Sequence, residues 1–144
     1  MSFLRTSAAH RLSTTARSLI RPTHTAKMKE AIIPKGLKVE IIDSPIPTPE
    51  PAQVVTKVVV SGSNPKDWKR PEQEGKTLNQ GDDIAGVVHA VGSDVFEFKP
   101  GDRVAAFHQM ESPGGSYAEY AVSFDHATFH IPKKTSFEGK EASS

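Results

Sequence analysis

Apolar residues along the chain fall into short runs separated by proline- and glycine-containing stretches. KMKEAIIP and LKVEIID alternate in part and flank a Pro-Lys-Gly turn, which predicts two paired strands. Four prolines lie between Ser44 and Gln53. Proline fixes φ and lacks a backbone donor, so this stretch is an extended connector. QVVTKVVVSG is the strongest predicted strand, and its near-continuous valines point to burial on both faces. SNPKDWKRPEQEGKTLNQG is a long polar loop with a helical turn expected after Pro65, and long loops in compact domains are often functional. IAGVVHAVG, RVAAF, SYAEYAV and ATFHIP read as further strands. Lys99-Pro100-Gly101-Asp102 suits a type II turn. Thr135 and Glu138 have the spacing of a capping box, so a helix is expected to begin there. Short strands, frequent turns and almost no helix define a mainly β fold, a small barrel or sandwich.

Charge divides the chain. Residues 1–27 hold Arg5, Arg11, Arg17, Arg21 and Lys27 and no acid. The remainder carries 13 basic against 17 acidic residues, a net of −4. The first segment is rich in Arg, Ser, Thr and Ala, the composition of a mitochondrial transit peptide. Leu4, Ala8, Leu12, Ala16 and Leu19 form a moderate apolar stripe at helical spacing. The expected organisation is therefore a disordered or weakly helical leader over 1–27, a domain over 28–138 and a tail over 139–144. Translation from Met28 gives a cytoplasmic form as the alternative to mitochondrial import. The acidic body argues against nucleic-acid binding, which needs a clustered basic surface. No apolar run is long enough to span a bilayer.

Candidate chemistry is sparse. The 144 residues contain no cysteine, which excludes disulfides, thiolate zinc sites and cysteine nucleophiles. The six histidines show no compact metal spacing, and no metal is expected. In GDDIAGVVHAVGSDVFEFKPGDRV the glycines are too far apart to cradle a phosphate, and no G-x-G-x-x-G occurs in the chain. Adjacent Asp82 and Asp83 would point to opposite faces of a strand. These glycines read as turn and close-approach positions. SNPKDWKR admits two readings. Trp68 flanked by Lys66, Lys69 and Arg70 suits an anionic or planar ligand, but on physical grounds alone it better suits a solvated charge run whose stems cover apolar surface.

Four motifs in order resemble the N-terminal, GroES-like domain of the medium-chain dehydrogenases/reductases. They are Asn64, Pro65 and Asp67; Gly81, Asp83, Gly86, Val88, Val91 and Gly92; Phe98, Gly101, Asp102, Arg103 and Val104; and Gly115, Tyr117, Ala118, Glu119 and Tyr120. The resemblance runs from about Met28 to Glu138. Zinc alcohol dehydrogenases of this family carry a cysteine near Ser61 and a His-Glu pair after the glycine, whereas this chain has Asp82-Asp83. It is therefore similar to the zinc-free branch of quinone oxidoreductases and fungal-type trans-enoyl reductases.

The resemblance implies a GroES-like, partly open β-barrel. It also implies NADPH as cofactor, with Asn64, Lys66, Asp67, Trp68 and Lys69 against it. Hydride transfer to an activated alkene (an enone) or a quinone would be the reaction. No catalytic residue is singled out, and a homodimer is the assembly to test. The nucleotide-binding domain of the family has no counterpart in these residues, so the chain is expected to be inactive alone, as a fragment or truncated product. Two other readings stand beside this one: a co-chaperonin-like binding module, and a regulatory remnant that pairs with a longer relative. The polar 63–80 loop lacks the apolar anchor that a docking module needs.

Overall fold

A computed structural model describes residues 26–36 and 38–137. Strands β1 (Lys27–Ile32) and β2 (Glu40–Pro45) form an antiparallel hairpin, with Lys27 opposite Pro45 and Ile32 opposite Glu40. The first strand thus begins one residue before the boundary read from composition. The proline connector leads into β3 (Gln53–Ser61). Helix α1 (Lys66–Glu74), β4 (Asp83–Val91), β5 (Arg103–Phe107), β6 (Tyr120–Phe124) and β7 (Thr128–His130) follow. A short 3-10 turn at Asp125–Ala127 joins the last two strands.

The main sheet has five strands in the order β6-β3-β4-β5-β7, with every neighbouring pair antiparallel. It curls into the expected partly open barrel. Ser116–Glu119 was expected to extend β6, but it leaves the main sheet to stitch on the hairpin. Ala31 N–H donates to Tyr117 O at 2.8 Å, and Glu119 N–H donates to Lys29 O at 3.1 Å.

Strand β3, paired on both sides, buries Val54, Val55 and Thr56 consecutively, as its continuous valine pattern predicts. The concave side holds Val54, Val88, Val95, Phe98 and Val104, with Ile84, Ala106 and Ala121 as a second cluster. The 99–102 turn forms as expected, with Asp102 N–H donating to Lys99 O at 3.1 Å and Gly101 at φ 95°. The convex side is less covered. Val60, Ala85, Ala105 and Phe129 lie opposite one another across four strands. Phe107 shares that face, and Phe107 and Phe129 are 44% and 62% exposed.

Thr56 is fully buried, and its hydroxyl has no hydrogen-bond partner among the described residues. An unpaired buried hydroxyl is costly, so Thr56→Val is expected to stabilise the domain by about 1 kcal/mol. A thermal melt checks this: the midpoint should rise by a few degrees, and a fall contradicts the assignment.

Candidate functional site

Helix α1 carries four of the five residues that sequence places against a cofactor. Pro65 stands at its N-cap with φ −56°, the angle proline imposes and the first turn needs. Asp67 in the first turn offsets the positive helix end. Gly75 closes the helix in the left-handed region at φ 69° and donates to Pro71 O at 3.1 Å. Sequence predicted only a helical turn here, yet the helix runs on through Pro71. Pro71 is a buried helix residue, and the buried face pairs it with Asp67. No apolar stripe marks such a helix.

Asp67 is the centre of the site. Its carboxylate accepts from Asn64 N–H at 2.8 Å, Tyr117 O–H at 2.5 Å and Lys66 Nζ at 2.7 Å. Lys66 Nζ also lies 2.6 Å from Asp82 Oδ2 and donates to Gln80 O at 3.0 Å. Two hydrogen bonds, to Asp67 and Gln80, and the ion pair with Asp82 hold this ammonium within the fold. Asp83 turns the other way, as adjacent strand positions must, and accepts from Asn64 Nδ2 at 2.6 Å. Asn79 ties the base together: its Oδ1 accepts from Gly81 and Tyr117 N–H, both at 3.1 Å, and its Nδ2 donates to Gly115 O at 2.9 Å.

The five candidates therefore divide. Asn64, Lys66 and Asp67 belong to a partly buried polar network. Trp68 is 50% exposed, and Lys69 Nζ lies 5.3 Å from its ring centre. Lys69 makes no ion pair among the described residues, and it and Trp68 are exposed, as are Glu72, Gln73 and Glu74 further along the helix.

Sequence reasoning missed Asp82, His108 and Tyr117 as one cluster with Lys66. His108, treated as one of several scattered histidines, is wholly buried and holds Asp82 Oδ1 at 3.2 Å through Nδ1. The two residues stand 26 positions apart, and no local spacing signals their meeting.

Burial pushes the Asp67 carboxyl up, but the hydrogen bonds from Lys66, Tyr117 and Asn64 outweigh it and hold the group below its ordinary value. Burial likewise opposes the Lys66 ammonium, and the two aspartates overcome it and raise the group. Burial and the Asp67 carboxylate push the Tyr117 phenol well above its usual range. The signs fix a pH window. The Asp67 contribution to stability is full above its unfolded value of about 3.9 and is lost as pH falls through the depressed folded one. That of Lys66 is full below about 10.4 and is lost as pH climbs past the raised folded value. Melting temperature should drop on the acid side, and Asp67→Asn should flatten that limb. An acid limb identical in the variant contradicts the assignment.

A cavity of about 540 Å3 lies elsewhere, between the hairpin, the proline connector and the 108–114 loop. Met28, Pro45, Pro47, Pro113 and Phe124 supply its apolar lining, and none of the five candidates lines it. His108 and Glu30, the latter accepting from Asn79 Nδ2 at 3.3 Å, join cavity and network.

A curled antiparallel half-barrel with a polar-faced helix between its adjacent strands β3 and β4 defines the class. The chain belongs to the family of the alcohol dehydrogenase GroES-like domain, whose model matches residues 50–133. It is 57% identical over 123 residues to the trans-enoyl reductase fsr4 of Gibberella fujikuroi, covering 84% of this chain and 36% of that protein. It is 37% identical over 101 residues to the human quinone oxidoreductase, covering 67% of this chain and 30% of that one. An alcohol dehydrogenase superfamily protein from Novosphingobium aromaticivorans shares the fold with a TM-score of 0.70 and 26% identity, over 76% of this chain and 36% of its own. The chain spans about a third of the length of these relatives.

Proposed function

We propose that the chain is one wall of the cleft of an NADPH-dependent reductase acting on an activated alkene or a quinone. The observation that carries this reading is α1, whose buried side is locked by ion pairs while Trp68 and Lys69 are presented outward. The likeness to a trans-enoyl reductase supports the reaction class. An exposed indole and an uncommitted ammonium fit part of a dinucleotide: a flat group against the ring and a phosphate near the cation. The cofactor would supply the hydride. The chain's own part is to hold α1 rigid and shield one side of the cleft from water. Asn64, Lys66 and Asp67 serve by fixing the helix, and Trp68 and Lys69 by contact.

The second wall belongs to a nucleotide-binding domain, and the half-exposed convex strip around Phe107 and Phe129 offers it an apolar face. These residues alone should neither hold NADPH tightly nor turn over. The basic leader, whose first 25 residues lie outside the described residues, supports mitochondrial import; a reporter fused behind residues 1–27 checks that. Calorimetry with NADPH, followed by a turnover assay with an enone and a quinone, tests the main reading. Weak binding that Lys69→Glu abolishes, with no turnover, is the expected result. Micromolar binding with turnover by this chain alone overturns the one-wall reading.

A further inference from the structure

A hydroxyl residue stands directly before proline at Ser44-Pro45, Thr48-Pro49 and Ser112-Pro113. All three hydroxyl residues line the cavity between the hairpin, the proline connector and the 108–114 loop. The fold treats them differently. Ser44 belongs to β2, opposite Met28 of β1, and its Oγ donates to Glu30 Oε2 at 2.6 Å. Ser112 sits in a turn directly after Glu111, which has φ 65°. Its Oγ lies 2.7 Å from Gln109 O and 3.2 Å from His108 Nε2. Drawing out either residue breaks sheet or turn, so each is guarded by the cost of local opening.

Thr48 is open. It is exposed, and its side chain makes no hydrogen bond among the described residues. Pro47 and Pro49 flank it. Each ring fixes its own φ and holds the residue before it extended. Neither prolyl nitrogen has a proton to give, so no hydrogen bond of theirs is lost when the stretch lifts. The connector is pinned on either side instead. Ile46 N–H donates to Ala26 O and Glu50 N–H to Gln53 Oε1, both at 3.0 Å. An extended backbone, an outward hydroxyl and a following proline are what a proline-directed kinase needs in a substrate.

We propose that Thr48 is the acceptor of a phosphoryl group from a proline-directed kinase, the fold leaving this residue open and closing Ser44 and Ser112. Thr48 Oγ1 forms the new bond to the γ-phosphorus of ATP. The bond from that phosphorus to the bridging oxygen breaks, ADP leaves, and the hydroxyl proton passes to the kinase's catalytic base. The product carries about −1.5 to −2 of charge at neutral pH. Glu30 and Glu50 share the cavity, and its described lining residues include no Lys or Arg. The phosphate therefore meets like charge and loosens the connector from the hairpin. None of this rests on the reductase reading.

The test treats the full chain with a purified mitogen-activated protein kinase, ATP and magnesium, and maps phosphate by mass spectrometry. Three synthetic peptides spanning the same sites serve as the unfolded reference. All three peptides should react. In the folded chain Thr48 should react nearly as fast as its peptide, while Ser44 and Ser112 fall at least about tenfold behind theirs. Thr48→Ala should then take up almost no phosphate. In the modified chain the Ile46 and Glu50 amides should exchange with solvent faster than in the unmodified one. A Thr48 peptide that does not react overturns the proposal, and so does a folded chain in which Thr48 is as protected as the two serines. Unchanged exchange at Ile46 and Glu50 contradicts the loosening.

Discussion

Gly86→Val is expected to abolish cooperative folding of the barrel. Gly86 lies in β4 opposite Val58 of β3 and Val104 of β5. A Cβ there would stand 2.1 Å from Lys57 O and 2.9 Å from Thr56 Cγ2. The first neighbour is backbone, and β3 is hydrogen-bonded on both sides, to β4 and β6, so it cannot retreat without breaking the sheet. The two methyls of valine would add to the overlap beside Val104, which is wholly buried. Overpacking of this kind costs at least about 3 kcal/mol. That is a large share of the roughly 5–15 kcal/mol that holds a domain together. Circular dichroism on heating checks it: no cooperative transition is expected, and an unchanged midpoint contradicts the close-approach argument.

Lys66→Met should be nearly as damaging, for a different reason. The variant keeps the apolar stem and removes the charge. Asp67 and Asp82 are both buried and would face each other without the ammonium between them. Breaking a buried pair by removing one partner costs about 3–5 kcal/mol, most of it the stranded charge. The stranded-charge account makes a second demand. Adding Asp82→Asn to Lys66→Met should recover part of the loss, a positive coupling that a denaturant melt of the four species measures. A double variant as unstable as the sum of its parts would mean that Lys66 acts by packing alone.

The strands were legible because each buries one face or both, and burial writes an apolar pattern into the sequence. Val54 and Val55 in β3, Ile84 and Val88 in β4, and Val104 and Ala106 in β5 all stand buried where that pattern places them. The helix was only half legible. Its inward residues are Asp67 and Pro71, one charged and one a helix breaker, so neither periodicity nor propensity marks its length. Ser116–Glu119 looks like strand because Tyr117 and Ala118 suit one. The chain departs from β6 there to meet β1, a long-range demand that no local pattern records.

The site followed the same logic. Motif order placed the residues around α1, but not which of them face inward. That division depends on partners far along the chain: Asp82, Gln80 and Tyr117 take up the donors and acceptors of Lys66 and Asp67. What is left outward, Trp68 and Lys69, follows only from the folded arrangement. The helix expected from the Thr135–Glu138 spacing would fall on Glu138 and beyond, outside the described residues.

The central claim is that this barrel works as one wall of a reductase cleft completed by a nucleotide-binding domain. Sequencing the full-length transcript through the Ser144 codon tests it most directly. The account predicts an open frame that continues into a strand–glycine-rich turn–helix unit of the dinucleotide-binding kind. A stop codon directly after Ser144 would contradict it and leave a free-standing GroES-like domain whose role lies in what it binds.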